Sequence, residues 1–313
     1  MRLKRLIMAN YRNIASADFR PGEELTVITG ANGQGKTNLL EAVWLLTGAK
    51  SFRGAKDAQL IRQGQPFAVM EGPILREDKG EVWVRLAVGT KDSPRPGRTC
   101  KINGVDAGRA SELAGLFTAV VFEPGVAPQG GQVPGVQLAQ RRVQGEEIRR
   151  RRAAWMARLA PLAQKNYAEI SSGSEALSLC YRCGLSPGGL AAARADSRLA
   201  DRRAGFCTAG PHRDALELVL DGQPAKNFAS QGQQRSAVLS VKLAEAAVAA
   251  EVTGEHPVML LDDVLSELDP TRQEYLLTRV REKQTIVTAC DSSLFHKAAG
   301  VMLRMEGGRL LEG

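Results

Sequence analysis

Short apolar runs alternate along the chain with longer stretches whose apolar residues recur every three or four positions. "ELTVIT" (24–29) is a short apolar strand, and "KTNLLEAVWLLTG" (36–48) carries the spacing of a helix. Leu39, Leu40, Val43, Trp44 and Thr47 fall on one side of that helix, and Gly48 marks its stop. "EVWVRLAV" (81–88) alternates, placing Val82, Val84, Leu86 and Val88 on one face. Asn103-Gly104 is a hairpin turn signal, and "TAVVF" (118–122) is a buried strand. The Pro/Gly-rich "EPGVAPQGGQVPG" (123–135) then reads as a linker or mobile loop.

A long helical pattern follows, with Ile148, Trp155, Leu159, Leu162 and Ile170 at roughly heptad spacing. The strand "SLCYRC" and an Ala- and Arg-rich helix at about 189–203 come next. The last third returns to mixed elements: strand 215–220, turn Asp221-Gly222, helix 232–252, strand 257–261, helix 270–281, strand 284–289 and closing strands near 300–311. The pattern predicts an α/β protein whose main domain is split in sequence. Residues 1–123 form its first half, 124–204 an inserted helical subdomain, and 205–313 its second half.

Composition changes this picture little. The chain has 313 residues, 43% hydrophobic and 24% charged, which is ordinary for a soluble globular protein. The net charge of +8 fits either a polyanionic partner or a basic surface kept for solubility. The apolar run "LIMA" near the start is too short for a signal-peptide core. The longest membrane-span candidate, "AVLSVKLAEAAVAAEV", carries Lys242, Glu245 and Glu251. A soluble, cytoplasmic protein is expected. Cys180 and Cys183 form a C-x-x-C on a strand, where positions i and i+3 face opposite ways, and no second pair or histidine cluster supports a zinc site. Inert thiols are the expectation, a metal or redox site the alternative. The odd count of five cysteines also argues against a secreted disulfide framework.

Chemistry concentrates in two places. "GANGQGKT" (30–37) fits G-x-x-x-x-G-K-[ST] and sits between a strand and a helix, the context that motif needs. Gly30, Ala31, Asn32, Gly33, Gln34 and Gly35 form the loop, and its glycines let backbone fold around an anion. Lys36 is placed to reach the β- and γ-phosphates of ATP, and the Thr37 hydroxyl to ligate Mg²⁺. In "PVMLLDDVLSELD" (257–269), a buried strand ends on two carboxylates, where ligands bind in open α/β sheets. Asp262 is placed to hold Mg²⁺, and Asp263 to orient or deprotonate the attacking water. Many proteins of this architecture carry glutamate at the second position. Aspartate is one methylene shorter, so slow hydrolysis is expected, with ATP acting more as a clamp than as fuel.

"SQGQQR" (230–235) precedes the helix before the carboxylate strand, and "SELD" (266–269) opens the helix after it. A glycine flanked by serine and glutamines at a helix start is a natural anion cradle. The ordered set of phosphate loop, SQGQ-type loop, helix, carboxylate strand and S-x-L-D is specific. With "NYRN" (10–13), "GANGQGKTNLLEAVWLLTGAKSFR" (30–53), "GPHRD" (210–214) and "LLDDVLSELDPTR" (260–272), the chain resembles the RecF family of DNA repair proteins, which have ABC-type, SMC-like ATPase heads.

The resemblance implies an ABC-ATPase-like head with an inserted arm or lid. It implies a homodimer formed on ATP and Mg²⁺ that binds single- and double-stranded DNA, acts at single-strand gaps with RecO and RecR partners to help load RecA, and hydrolyses ATP weakly with DNA stimulation. With no aromatic–basic interleaving in the sequence, DNA binding is expected to be backbone-driven and sequence-independent. In such heads the signature loop closes on another subunit's nucleotide, which gives Ser230, Gln231, Gly232 and Gln233 a role in trans and makes Ser266 and Asp269 the D-loop. Arg12, in "NYRN", is placed near the nucleotide or is a surface arginine. His212 and Arg213 match the family, with loop structuring and ligand contact equally open. Thr288 ends the strand "QTIVTA", where transporter-type ATPases carry a γ-phosphate-sensing histidine; His296 lies too far along.

The family pattern fails after Glu123-Pro124. Gly125 stands where an acidic residue is usual, and the arm lacks most of its first helix. Arg141-Arg142 and Arg149–Arg152 could track DNA phosphates or form a solvated helix surface, with at most two of four consecutive arginines on one face. Competing readings are a transporter-type ATPase subunit, disfavoured by the missing histidine and by "SQGQQR", and an SMC-type head, which needs far more coiled coil than about 80 residues provide. A remnant that binds ATP or DNA without switching is a further alternative.

Overall fold

The computed structural model describes residues 1–123, 145–183, 189–205, 208, 210–281, 283–291, 295 and 300–312. The chain divides into two compact units, Met1–Pro124 with Ala249–Gly313, and Gly125–Val248.

The first unit opens with β1 (Arg2–Leu3), β2 (Leu6–Tyr11), β3 (Ile14–Phe19) and β4 (Leu25–Thr29). Then come α1 (Lys36–Leu45), β5 (Phe67–Arg76), β6 (Gly80–Gly89), β7 (Gly97–Ile102), β8 (Val105–Gly108) and β9 (Ala119–Phe122). The second unit holds α2 (Gly145–Ile170), β10 (Leu177–Arg182), α3 (Gly189–Asp196), α4 (Arg198–Ala204), β11 (Ala215–Leu220), β12 (Gln223–Pro224), α5 (Ala225–Phe228) and most of α6 (Gln231–Thr253). The chain finishes in the first unit with β13 (Val258–Asp262), α7 (Pro270–Val280), β14 (Thr285–Ala289), β15 (Val301–Glu306) and β16 (Arg309–Glu312).

Two sheets build the first unit. One runs β16-β15-β4-β14-β13-β9, parallel except for the β15–β16 hairpin. Its strands β4, β13 and β14 are near-continuous apolar runs, as strands covered on both faces require. The other is antiparallel, β3-β2-β5-β6-β7-β8, with β1 on β5. In β6 the inward residues Val82, Val84, Leu86 and Val88 are buried, the face that alternation predicts. Asn103 (φ 50°) and Gly104 (φ 79°) form the β7–β8 turn.

Helix α1 contacts β13 and β14 of the parallel sheet and β2 of the other. Covered from two sides, it buries Leu39, Leu40, Glu41, Ala42, Val43 and Leu45. This differs from the single apolar stripe read from the sequence. Trp44, assigned to that stripe, lies half-exposed, and the Glu41 carboxylate is fully buried.

The second unit packs α2 and α6 with the sheet β10-β11-β12 around Met156, Leu159, Tyr167, Leu177, Leu218 and Val241. Residues 205–248 therefore belong with this unit, whereas the sequence reading joined them to the main domain. The reason is pairing: β10 and β11 run antiparallel in register Leu177↔Leu220 to Arg182↔Ala215, and α6 shares a core with α2. The buried stripe of α2 is Arg149, Met156, Leu159, Ala163 and Tyr167. Of the expected heptad only Leu159 is fully buried; Trp155 and Leu162 flank the core. No helix among the described residues is long and apolar enough to cross a membrane.

Candidate functional site

The loop between β4 and α1 is built to leave backbone donors open. Gly35 precedes α1 in a left-handed conformation (φ 115°), with no side chain capping the helix and no acidic residue in its first turn. The first N–H groups of α1 thus lack the usual internal partners. A Cβ on Gly35 would stand 2.9 Å from the Asn13 side chain, while one on Gly33 would meet nothing within 4 Å. The loop is therefore tight on the Asn13 side and open on the other. The Lys36 ammonium, nearly buried, folds back on the carbonyls of Gly30 (2.5 Å) and Ala31 (3.0 Å).

Asp262 ends β13 next to this loop. Thr37, 225 residues away in sequence, donates its hydroxyl to Asp262 Oδ1 at 2.9 Å. Thr288 on the neighbouring β14 donates to the same oxygen at 2.8 Å. Burial pushes the Asp262 carboxyl above its ordinary range, against the two hydroxyl bonds, and the Asp263 charge pushes the same way. No ion pair reaches Asp262 among the described residues.

Asp263 adopts a left-handed backbone (φ 50°), held by its N–H donating to Thr288 Oγ1 (3.0 Å) and Thr288 O (3.2 Å). Its Oδ1 is buried without a hydrogen-bond partner. From the end of β14, Cys290 places Sγ 3.1 Å from Asn32 Oδ1, 3.7 Å from Lys36 Nζ and 3.9 Å from Asp263 Oδ2. Thr288 stands where transporter-type ATPases carry a histidine. It faces the two aspartates, and the side chain presented to the loop is Cys290.

Several supporting residues carry no motif signal of their own. Glu41 accepts from Arg12 Nε (2.5 Å) and Nη2 (3.0 Å), from the Tyr11 hydroxyl (2.6 Å) and from Ser51 Oγ (2.5 Å). Burial would raise the Glu41 carboxyl, but Arg12, Ser51 and Tyr11 outweigh it and hold it low. Arg12 is thus engaged with α1, at the turn where its own φ is 47°. Asn13 donates to Gln34 O (3.1 Å) and accepts from Asn38 (2.8 Å). The β15–β16 turn donates Gly307 N–H to Gln34 Oε1 (2.7 Å) and Gly308 N–H to Gln34 O (2.9 Å). Ser266 donates to Asp263 O (2.7 Å), and Asp269 caps α7 by accepting from Arg272 N (3.0 Å).

The remaining motif residues lie in the second unit. Ser230 and Gln233 form a capping box at the start of α6: Gln233 N–H donates to Ser230 Oγ (3.2 Å) and Ser230 N–H to Gln233 Oε1 (2.6 Å). Gln233 also donates to Glu175 (2.7 Å). Gln231 is exposed and Gly232 half-buried.

Of "GPHRD", residues Pro211–Arg213 make a 3₁₀ turn, and Asp214 is buried against Arg149 (2.8 and 2.9 Å) and the Tyr181 hydroxyl (2.5 Å). Arg152 donates to Pro211 O. Arg150 and Arg151 pair with Glu147 at 2.6 Å. The four-arginine run is therefore neither a phosphate-tracking face nor a solvated surface throughout: two members hold the 211–214 turn from inside. The side chain of His212, and Gly125, Arg141, Arg142 and His296, lie outside the described residues. Cys180 and Cys183 are free thiols.

A phosphate loop at a helix start, a carboxylate strand beside it and a parallel sheet flanked by an antiparallel one define an ABC-type ATPase head of the SMC kind. The RecF/RecN/SMC N-terminal domain model matches residues 2–307. A DNA replication and repair protein RecF of Bacillus velezensis is 31% identical over the whole of both chains, and one of Synechococcus is 34% identical over 95% of this chain and 93% of its own. The chain belongs to the RecF family.

Solved structures agree on the fold. Recombination mediator RecF bound to ATP superposes with TM-score 0.84 at 24% identity, covering 99% of this chain and 97% of the other. An SMC head bound to the C-winged helix domain of ScpA gives TM-score 0.62 at 16% identity, covering 100% and 98%. The match to the Bacillus velezensis relative extends over 378 positions against this chain's 313 residues, so internal segments of the relative are missing here.

Proposed function

We propose that this chain is an ATP-dependent DNA-binding protein of recombinational repair and replication, which pairs with a second copy on binding ATP. The observation that carries the reading is the Thr37–Asp262 bond, which joins the phosphate loop to the carboxylate strand at 2.9 Å. The uncapped start of α1, the open side of the loop at Gly33 and the unpartnered Asp263 Oδ1 suit a triphosphate with its metal.

Residues 30–37 would hold the phosphates, with Lys36 as counter-charge, and Thr37 and Asp262 would hold Mg²⁺. Bound Mg²⁺ would act as a Lewis acid on the phosphate oxygens and offset the buried Asp262 charge. Asp263 is the group available to accept a proton from water, and its short side chain favours slow turnover. Arg12, held by Glu41 beside α1, stiffens the wall behind the loop and is the nearest candidate for a nucleotide contact from "NYRN". Ser230, Gln231, Gly232 and Gln233 would read the partner copy's nucleotide, and Ser266 and Asp269 would line the paired surface. The domain reading follows: nucleotide chemistry in the first unit, and the signature loop on a shortened arm-bearing second unit. Double- and single-stranded DNA and RecO- and RecR-type mediators are the partners this reading assigns, in the cytoplasm.

Gel filtration with and without ATP and Mg²⁺ tests it. The wild type should elute as a dimer only with ATP, Lys36→Ala should remain monomeric, and Ser230→Arg should bind ATP yet remain monomeric. Persistent ATP-dependent dimers of Ser230→Arg would reduce the loop to a helix cap. The missing internal segments favour a second reading, a remnant that binds ATP without switching. It expects ATP to bind with no change in elution.

A further inference from the structure

Asp262 and Asp263 are consecutive, and consecutive side chains of a strand point to opposite faces. Both carboxylates nonetheless meet groups of the phosphate-loop region: Asp262 meets Thr37, and Asp263 Oδ2 lies 3.9 Å from Cys290 Sγ, itself 3.7 Å from the Lys36 ammonium. The strand alternation is broken at Asp263, whose backbone is left-handed (φ 50°), a conformation a non-glycine residue keeps only where its surroundings fix it.

Thr288 holds it, through its main-chain carbonyl (3.2 Å) and through its side chain. The Thr288 hydroxyl accepts from Asp263 N–H (3.0 Å) while donating its only proton to Asp262 Oδ1 (2.8 Å). Thr288 is buried, and its Cα is the register partner of Asp262 in the parallel β13–β14 ladder. Thr37 donates to the same Asp262 oxygen. If the Thr37 hydroxyl turns to a metal ion, its bond to Asp262 is given up, and Thr288 alone still orients the carboxylate.

We infer that Thr288 is a positioning residue for metal–nucleotide binding: its hydroxyl fixes Asp262 toward the metal position and, together with its own carbonyl, holds the backbone turn that aims Asp263 at the loop. The inference rests on the ATP–Mg²⁺ reading of the site. Thr288→Val keeps the shape and removes both hydroxyl bonds while leaving the main-chain bond to Asp263 N–H; Thr288→Ser keeps the hydroxyl.

The experiment is a fluorescent ATP-analogue titration, with and without Mg²⁺, on full-length wild type, Thr288→Val and Thr288→Ser. In the wild type Mg²⁺ should tighten binding. In Thr288→Val metal-free affinity should stay within about twofold, while the Mg²⁺ concentration for half-maximal tightening rises about tenfold or more, the loss of one to two charge-assisted hydrogen bonds. Thr288→Ser should restore the wild-type midpoint, which a merely space-filling role would not require. If the valine variant folds poorly, Thr288→Ala must show the same Mg²⁺ shift. A wild type that binds nucleotide indifferently to Mg²⁺ overturns the site reading and this inference together. A Mg²⁺ midpoint unchanged in Thr288→Val, with a Mg²⁺-dependent wild type, overturns this inference alone.

Discussion

Asp262 in the first unit and Asp214 in the second are both buried carboxylates, and their surroundings are opposite. Asp214 is closed by its own chain: Arg149 grips both its oxygens, and Tyr181 donates to one of them. Burial alone would raise its pKa, but Arg149 and Tyr181 outweigh burial and hold it low. Asp262 has two hydroxyl partners and no ion pair among the described residues, and its pKa is held high. One carboxylate is finished when the chain folds. On the proposed function the other is completed by a bound cation, which sets a structural ion pair apart from a candidate binding site.

The sharpest way to break this contrast is to neutralise each carboxylate in turn. Asp214→Asn leaves Arg149 buried without its counter-charge and should destabilise the protein by about 3 kcal/mol. Urea unfolding would read this as a lower midpoint, with nucleotide affinity unchanged. Asp262→Asn should act in the opposite direction, raising metal-free stability by about 1 kcal/mol while removing the Mg²⁺-dependent part of ATP binding. A loss of stability in Asp262→Asn would show that Asp262, too, is a structural group.

The pH dependence follows the same division. Asp214 and Glu41 are held below their ordinary values of 3.8 and 4.5, so their contribution is complete above those values and is lost as pH falls through the lower, folded-state ones. Thermal melts below about pH 4.5 should show a falling midpoint, shallower in Asp214→Asn. The raised Asp262 pKa works the other way: metal-free protein gains stability as that carboxyl protonates. The smallest effect is expected at Arg150→Ala. Arg150 is exposed and pairs with Glu147, so no measurable change in melting is expected, although the adjacent Arg149 is essential to the Asp214 site.

The glycine loop before α1, the carboxylate pair at the end of β13 and the parallel strands were legible in the sequence, because "GANGQGKT" and "VMLLDD" state local backbone needs directly. Asn103-Gly104 placed its hairpin for the same reason. The rest depended on partners distant in sequence. Arg149 reads as one of four surface arginines until β11 brings Asp214 to it. Glu41 interrupts an apolar helix and makes sense only once Tyr11 and Arg12 arrive from the β2–β3 turn. Thr288 looks like the end of a strand, and its two hydrogen bonds exist only through the pairing of β14 with β13. The two compact units were not legible either, since the β10–β11 pairing leaves no local mark.

The order of strands in the parallel sheet also governs how the protein is made. β4 is flanked by β14 and β15, and β9 by β13, so neither early strand has a parallel-sheet neighbour until residues beyond 257 have been synthesised. The turn at Gly307-Gly308, which fastens Gln34, comes later still. During translation the phosphate loop leaves the ribosome more than two hundred residues before the strands that support it. The nascent protein cannot assemble the surroundings of this loop early, because the parallel sheet closes only through contacts of long sequence separation, which are slow to form.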